Sequence, residues 1–271
     1  MRAGEALAAA AAAGVAPREA RLLLARTLDC SEASLMAHPG RELPEAVERR
    51  FTDRASRRAR GEPVAYLLGE REFFSLTLEV GPAVLIPRPE TELLVEATLA
   101  HLTQPAAVLD LGTGSGAIAL ALKQACPAAR VVAVDASAAA LEVARHNAAR
   151  HGLEVDFREG DWFAPVAGER FDLVVSNPPY IAEGDPHFGH ADLRHEPRAA
   201  LASGVDGLDA LRAIIGAAPA HLRPGGRLLL EHGMGQDGAV RVLLARAGFG
   251  TLTSLADGAG IARVAAGRVK S

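Results

Sequence analysis

The amino-acid sequence predicts an α/β protein, in which a small helical domain precedes a larger domain built on a parallel sheet. From about residue 107 onwards, short apolar runs alternate with segments of helical periodicity, which is the pattern of a parallel sheet with helices on both faces. The residues before about 72 show helical patterns and few strand signals. A glycine-rich turn directly follows the first long apolar run, at the kind of position where open α/β sheets bind ligands.

The N-terminal domain is predicted to span residues 1–72 and to consist of several helices. An alanine-rich helix comes first, around 6–13. A second helix is expected over 17–28, where Pro17 suits a first helical turn, and a third over 44–60.

A β-hairpin over residues 73–87 is predicted to link the two domains. Polar and apolar residues alternate over 75–80, Gly81 and Pro82 supply a turn, and 83–86 is apolar enough for a second strand.

The larger domain is predicted to occupy residues 88–271, with each strand read from a short apolar run bounded by turn residues. Helices are expected over 207–221 and 236–247, besides those between the earlier strands. The strands are expected at about 107–111, 130–134, 154–158, 171–176, 226–231, 249–255 and 261–266.

Composition limits the possible functions. A chain of 271 residues with 49% hydrophobic residues can bury a sizeable core. Its formal net charge of −4 argues against naked nucleic acid as the main partner, because proteins that bind it usually carry a basic excess. Cys30 and Cys126 have no metal or redox spacing and fit a reducing cytoplasm. No apolar run reaches the roughly 20 residues of a membrane span, so we expect no membrane partner and a cytoplasmic location.

The turn after the strand 107–111 is Gly112-Thr113-Gly114-Ser115-Gly116, and a helical run follows it. Glycines let the backbone approach a ligand, and the helix start offers free N–H groups. The next strand ends in Asp135, near the spacing at which a carboxylate accepts both ribose hydroxyls of a nucleoside cofactor. The turn by itself leaves a dinucleotide open, because it also satisfies the looser G-x-G-x-x-G/A fingerprint.

A second motif, Asn177-Pro178-Pro179-Tyr180, directly follows the apolar run 171–176 and is expected at the same sheet edge. The prolines have fixed φ and no N–H, so their carbonyls and the Asn177 amide form a stiff set of acceptors. Such a set suits the N–H bonds of a planar amide or amino group whose nitrogen attacks an electrophile. Because a methyl donor needs this site and a hydride donor does not, the pair of motifs favours S-adenosylmethionine over NAD.

These motifs resemble those of the class I S-adenosylmethionine-dependent methyltransferases, and more narrowly those of the HemK/PrmC family, which methylates the glutamine side chain of peptide-chain release factors. The resemblance covers nearly the whole chain. Residues 60–69 and 72–74 look like that family's inter-domain segment. The most distinctive match is Leu85-Ile86-Pro87-Arg88-Pro89-Glu90-Thr91-Glu92, which is unlike the corresponding part of the related ribosomal-protein glutamine methyltransferases.

The resemblance implies a Rossmann-like seven-stranded methyltransferase sheet with one antiparallel strand near its edge. The N-terminal helices contribute none of the residues assigned to the donor or the substrate amide, so we expect them to recognise the substrate. The resemblance also implies that the glycine turn, from Gly112 to Gly116, binds S-adenosylmethionine, with Asp135 on the ribose and Trp162 against the adenine; a core tryptophan is the alternative for Trp162. The substrate would be the glutamine of the Gly-Gly-Gln loop of class I peptide-chain release factors, and the enzyme a monomer.

For catalysis and substrate binding, the resemblance assigns the substrate amide to the Asn177 side chain and the Pro178 carbonyl. Pro179 completes the motif, and Tyr180 flanks the bound side chain. Arg88 and Glu90 are expected at a helix start, where they close over the donor, face the substrate or serve as ordinary helix-start charges. Glu231 and His232 end the fifth strand at the ligand edge, where a structural role is at least as well supported.

Some features depart from the family or leave alternatives open. His195-Glu196-Pro197 stands where the family usually has Tyr-Glu-Pro, and 257–264 matches only loosely. His187, His190 and His195 have irregular spacing in a loop, so solvated histidines are favoured and no metal is predicted. Methylation of a ribosomal-protein glutamine, methylation of an exocyclic amine of a nucleic-acid base, and a nucleoside-sensing binding module remain as alternatives.

Overall fold

The structure is a computed structural model that describes residues 1–103, 106–189 and 193–270. Within them the chain forms two compact units. One unit comprises Met1–Glu70 and His187–His195, and the other comprises Arg71–Pro186 and Glu196–Ser271. The first unit thus takes in a segment from the second half of the chain, which a continuous domain over 1–72 does not include.

The N-terminal part of the first unit is helical, as predicted. The helices are α1 (Ala3–Ala12), α2 (Pro17–Thr27), α3 (Glu32–Ala37), α4 (Glu45–Ala59) and α5 (Val64–Leu68). They bury an apolar cluster around Leu23, Leu24 and Phe51. The short helices α3 and α5 were missed because six and five residues are too few to show helical periodicity.

A hairpin follows, but only one of its two strands coincides with a predicted one, the strand expected over 75–80. β1 (Glu70–Phe73) pairs with β2 (Leu76–Glu79) in a two-stranded sheet. Its turn lies at Phe74 and Ser75, whose φ angles of 47° and 64° match a tight hairpin turn without the usual glycine or asparagine. Residues 83–86 form no strand. The Ile86 N–H instead donates to the Glu196 carboxylate (2.9 Å), which removes it from any ladder.

The second unit is built on a seven-stranded sheet of order β5-β4-β3-β6-β7-β9-β8. The five strands β5, β4, β3, β6 and β7 are parallel to one another, whereas β9 runs antiparallel to both β7 and β8. The predicted fold class is confirmed, including the single antiparallel strand beside the edge. The strands are β3 (Ala107–Leu111), β4 (Arg130–Asp135), β5 (Asp156–Glu159), β6 (Phe171–Ser176), β7 (Leu222–Glu231), β8 (Gly250–Ala256) and β9 (Ala262–Arg268).

Helices cover both faces of this sheet. Strand residues alternate between two apolar clusters, as Leu109 and Leu111 belong to one and Val108 to the other. No helix among the described residues is long and apolar enough to cross a membrane. The helices of this unit are α6 (Glu92–Leu99), α7 (Ala117–Ala125), α8 (Ala138–His151), α9 (Asp209–His221) and α10 (Asp237–Arg246).

The strand order reverses between β3 and β6, because the chain builds outward from β3 through β4 to β5 and from β6 to β7 on the other side. Open α/β sheets bind ligands at the carboxyl ends of their strands where the order reverses in this way. Gly112 follows β3 and Asn177 follows β6, so the two predicted motifs flank this reversal.

Candidate active site

The glycine turn connects β3 to α7 with its glycines in the left-handed region, at φ 71° for Gly112, 56° for Gly114 and 84° for Gly116. The N–H groups of Gly112 and Thr113 both donate to the Val134 carbonyl, which holds the turn against the end of β4. A Cβ on Gly116 would lie 3.1 Å from Leu120 Cδ1, whereas one on Gly114 would meet nothing within 4 Å. Gly116 thus serves helix packing, while Gly112 and Gly114 line a cavity.

Asp135 ends β4 and ties the turn to the next helix. Its Oδ2 accepts the Gly114 N–H (2.8 Å) and its Oδ1 accepts the Ser137 N–H (2.9 Å). Ser137 caps α8, since its Oγ accepts the Ala140 N–H (3.2 Å). Each carboxylate oxygen has a second lone pair, so Asp135 can still accept hydrogen bonds from ligand hydroxyls.

Asp110 holds the glycine turn in place through a hydrogen bond with Thr113. It is fully buried in β3, and its Oδ2 accepts the Thr113 hydroxyl (2.7 Å). Burial raises the pKa of this carboxyl to about 7, although the Thr113 hydrogen bond acts in the opposite direction. Thr113, which the sequence predicted as a donor-binding residue, therefore has a partner beneath the turn.

Trp162 follows β5 and has a φ of 42°, which is unusual for a residue with a side chain. Gly160 precedes it at φ 148°. The indole packs partly against the apolar core and also lines the cavity, where its Cζ3 lies 3.7 Å from the position of a Cβ on Gly112. The structure thus gives Trp162 a place in both the core and the cavity wall.

Asn177 follows β6 directly. The Ser176 hydroxyl donates to the Leu111 carbonyl (2.7 Å), which joins the ends of β6 and β3. Asn177 Nδ2 donates to the Thr91 hydroxyl (3.1 Å), so this bond leaves the amide oxygen Oδ1 free to accept from a ligand. Asn177 is half-buried, and Pro178 after it is buried.

Tyr180, which is half-buried, pairs with the buried Glu231. The Tyr180 hydroxyl donates to Glu231 Oε1 (3.2 Å), and Gln236 Nε2 donates to the Tyr180 carbonyl (2.9 Å). Burial raises the pKa of Glu231 to about 7, opposed mainly by the neighbouring hydroxyls of Thr91 and Tyr180. Burial and the nearby Glu231 charge raise the pKa of Tyr180, which keeps its hydroxyl protonated.

A cavity of about 440 Å³ joins the two motifs. This volume lies within the range of about 300–1,000 Å³ that is usual for small-molecule sites. Further lining residues, which the sequence prediction did not assign to the site, come from the segment before α6, the start of α8 and the segment before α9. The wall includes Ala83, Val84, Leu85, Gly112, Gly114, Asp135, Ser137, Ala140, Trp162, Asn177, Pro179, Pro197, Ala199 and Ala200.

The Arg88 guanidinium pairs with Glu196, which is buried and also accepts the Ile86 N–H. Both residues belong to stretches that the sequence singled out, one as the strongest family match and the other as a departure from it. Their ion pair fastens 86–88 to 196–197 at the cavity, whose wall includes Leu85 and Pro197. Arg88 precedes a short 3-10 turn (Pro89–Thr91) that leads into α6.

Not every predicted residue lines the cavity. Thr113, Ser115, Gly116, Pro178 and Tyr180 lie outside the wall described above. Ser115 is buried, and its carbonyl accepts from Asn147 Nδ2 (2.9 Å). Of the loop histidines, His190 lies outside the described residues. No cluster of possible metal ligands occurs in the part of the chain that the structure describes.

The sheet order, the glycine turn and the Asn-Pro-Pro-Tyr motif at the reversal point define a class I methyltransferase. Residues 89–204 match the family model described as "Methyltransferase small domain". Among solved structures, the chain is similar to the T. thermophilus 16S rRNA N2 G1207 methyltransferase in complex with AdoMet and guanosine, with a TM-score of 0.57. The identity is 23%, over 74% of this chain and 50% of that one, so this likeness concerns the fold.

Sequence relatives narrow the class. The release factor glutamine methyltransferase of Xylella fastidiosa (strain Temecula1) is 52% identical, over 97% of both chains. That of Burkholderia pseudomallei is 50% identical, over 93% of this chain and 91% of its own. Residues 1–69 match the family model "PrmC N-terminal domain". The chain belongs to the release factor glutamine methyltransferases.

Proposed function

We propose that this protein transfers a methyl group from S-adenosylmethionine to the side-chain amide nitrogen of the glutamine in the Gly-Gly-Gln loop of class I peptide-chain release factors. The observation that carries the proposal is Asn177, whose amide lines the same cavity as the glycine turn. The relatives of this chain that are named release factor glutamine methyltransferases match it over nearly their whole length.

The cavity suits a nucleoside donor. Asp135 would accept the ribose hydroxyls with the lone pairs that its two backbone bonds leave free. Trp162 would offer its ring face to the adenine. Gly112 and Gly114 would let the amino-acid part of the donor pass close to the backbone, while Thr113, Ser115 and Gly116 hold the turn in shape.

Bound S-adenosylmethionine supplies a methyl group made electrophilic by the positive sulfonium. A substrate amide nitrogen is a poor nucleophile, because its lone pair is delocalised into the carbonyl. Asn177 Oδ1 and the Pro178 carbonyl would accept its two N–H bonds and turn the nitrogen towards the methyl group. Orientation of this kind can supply a large part of a rate enhancement.

No strong base is needed at the amide nitrogen, since its proton can leave after methyl transfer. Pro178 and Pro179 add no N–H donor that would compete for the acceptors. Tyr180 would flank the substrate side chain, and the hydrogen bonds at its hydroxyl and carbonyl fix its position. A site poor in water favours a step in which the sulfonium charge disappears.

A protein substrate gains affinity from surfaces remote from the reacting atom, and that binding energy also positions the glutamine. We propose that the helical unit, which contains none of the donor or amide-binding residues, provides such a surface. Action as a monomer stays a prediction.

The test is a methyl-transfer assay with the purified protein, labelled S-adenosylmethionine and a class I release factor, followed by mass spectrometry of the peptide around Gly-Gly-Gln. We expect one methyl group on the glutamine side chain. A release factor with Gln→Glu in this motif is the matched control and should stay unlabelled. Labelling of a ribosomal protein or of RNA with none on the release factor would contradict the proposal.

A further inference from the structure

One face of α8 reaches from the cavity to the strand β2. Residues at intervals of four, three and four positions lie on one side of a helix. On this side of α8 they are Ala140, Ala144, Asn147 and His151. Ala140 lines the cavity, and Ala144 Cβ would lie 3.3 Å from a Cβ on Gly116. The face that borders the cavity and the glycine turn therefore continues to Asn147, which is completely buried.

The Asn147 carboxamide joins β2 to the glycine turn through three hydrogen bonds. Its Oδ1 accepts the Glu79 N–H (2.6 Å), and its Nδ2 donates to the Glu79 carbonyl (3.0 Å). Nδ2 also donates to the Ser115 carbonyl (2.9 Å). Because Ser115 is buried, its carbonyl needs a partner within the protein. Asn147 provides that partner, and both of its amide hydrogens are used.

His151 binds the same strand one helical turn further along. Its Nε2 donates to the Thr77 carbonyl (2.9 Å), two residues before Glu79. Four helix residues rise by about 6 Å, and two strand residues span about 6.8 Å. Asn147 and His151 therefore fit the spacing of the β2 backbone, and β2 takes a fixed place on α8.

The backbone partners allow one orientation of the Asn147 amide. The Glu79 N–H needs an oxygen opposite it, whereas the carbonyls of Glu79 and Ser115 need N–H donors. A half-turn of the amide would place donor against donor at the first position and oxygen against oxygen at the other two. Because buried backbone groups without partners are costly, β2 selects the orientation in which Nδ2 holds the Ser115 carbonyl.

The glycine turn needs such support, because glycine has no Cβ to restrict its backbone. Gly114 lines the cavity with a φ of 56°, and Ser115 follows it directly. Asp135 holds the Gly114 N–H, and Asn147 holds the carbonyl of the next residue. Resting on the proposed function, we propose that Asn147 is a positioning residue for S-adenosylmethionine, which fixes the glycine turn through Ser115 and is itself oriented by β2.

Calorimetric titration of the full-length protein with S-adenosylmethionine tests this role. Asn147→Ala should raise the Kd about tenfold, the effect of roughly one net hydrogen bond. Asn147→Asp should raise it further, because its carboxylate would face two carbonyls without an N–H to donate. His151→Ala is the matched control, since His151 lies on the same helix face and binds the same strand but makes no bond to the turn. Its Kd should stay within twofold of wild type.

A loss of stability alone would not give this pattern. The titrations are made well below the Tm of each variant, where nearly all of the protein is folded and a lower Tm leaves the Kd unchanged. In methyl transfer, Asn147→Ala should raise the KM for S-adenosylmethionine about tenfold, while kcat at saturating donor and the KM for release factor stay within twofold. A lower Tm with an unchanged donor KM would reduce Asn147 to a support of the fold and overturn the proposal.

Hydrogen exchange measured by NMR needs neither donor nor substrate. The Gly114 and Gly116 amides, which donate to Asp135 Oδ2 and the Thr113 carbonyl, report on the turn. Both should exchange at least tenfold faster in Asn147→Ala and at wild-type rates in His151→Ala. Wild-type rates in Asn147→Ala, or equal acceleration in His151→Ala, would overturn the proposal.

A second variant covers the case in which Asn147→Ala does not fold. Glu79→Pro removes the N–H that orients the amide, at an exposed residue on the end of β2, where a proline is tolerated. It should raise the donor Kd and speed exchange at Gly114 and Gly116, and wild-type values of both would contradict the role of β2 and Asn147. If these changes occur but release factor is not methylated, the proposed substrate fails and the role of Asn147 stands.

Discussion

The cavity has a donor half around the glycine turn and an acceptor half around Asn177, and the two halves are held in shape by different groups. On the donor half, the backbone shapes the cavity wall: glycines in the left-handed region, a turn that Asp135 and the Val134 carbonyl hold in place, and Trp162 at positive φ. On the acceptor half, side-chain hydrogen bonds hold the residues in place, from Asn177 to Thr91 and from Tyr180 to Glu231. The donor half depends on chain conformation, and the acceptor half depends on hydrogen bonds between side chains.

The difference suggests how each half fails. A backbone site is lost when its conformation becomes costly, and that loss should appear in stability and donor affinity together. A side-chain site can lose its function while the fold and the donor affinity remain. Three substitutions test this contrast.

The largest effect is expected at the acceptor half. Asn177→Ala should lower the methylation rate by ~10²–10³, comparable with the loss of one well-placed catalytic hydrogen bond. Donor affinity, measured by calorimetric titration with S-adenosylmethionine, should change far less. Near-normal turnover would remove Asn177 from the mechanism, and an equal loss of donor affinity would erase the contrast between the halves.

Asp135→Ala should weaken S-adenosylmethionine binding by about 1.5–3 kcal/mol, the range for hydrogen bonds to a charged acceptor. Part of the loss should come from the Gly114 N–H, which loses its partner. Asp156→Ala on β5 is the control, because Asp156 is exposed and pairs with Arg158 outside the cavity. Tight binding of NAD with no response to S-adenosylmethionine would contradict the donor assignment.

The smallest effect separates conformation from packing in the donor half. Gly116→Ala and Gly152→Ala both place a side chain at positive φ, at a cost of about 1 kcal/mol. At Gly116 the new Cβ also lies 3.3 Å from Ala144 Cβ, whereas at Gly152 it meets nothing within 4 Å. In denaturant unfolding Gly116→Ala should lose about 1 kcal/mol more. Only Gly116→Ala should reduce the affinity for S-adenosylmethionine. If the two variants lose the same stability and the same donor affinity, the turn tolerates a side chain at Gly116.

Local signals account for what the sequence could predict. The strands β3, β4 and β6 are largely apolar runs; Gly112 follows β3, Asp135 ends β4 and Asn177-Pro178 follows β6, so their limits could be predicted within a residue or two. Where the signal was non-standard, prediction failed. The hairpin turn at Phe74 and Ser75 has no glycine, so it was not predicted. Gly81 and Pro82 indicated a turn instead, and the partner strand was predicted after it, over 83–86, although it lies before the hairpin turn.

The acceptor half illustrates a different limit. Asn177 could be identified because its neighbours are prolines that follow a strand. The hydrogen-bond partners of Asn177 and Tyr180 could not, since Thr91 and Glu231 lie far away in sequence and carry no spacing signal that links them to this motif. Glu231 was noticed only as the end of a strand. Burial, which gives Glu231 its raised pKa, is a property of the folded chain alone.

The compact unit that holds the N-terminal helices also contains the segment His187–His195, where Arg194 contacts the Arg60 carbonyl. A ribosome makes chains from the N-terminus, and domains generally fold in that order. Here the first helices leave the exit tunnel long before the segment that completes their unit has been synthesised. The nascent helical unit therefore stays incomplete until β6 and the Asn177 motif have been made, so its last segment is synthesised in the middle of the second unit.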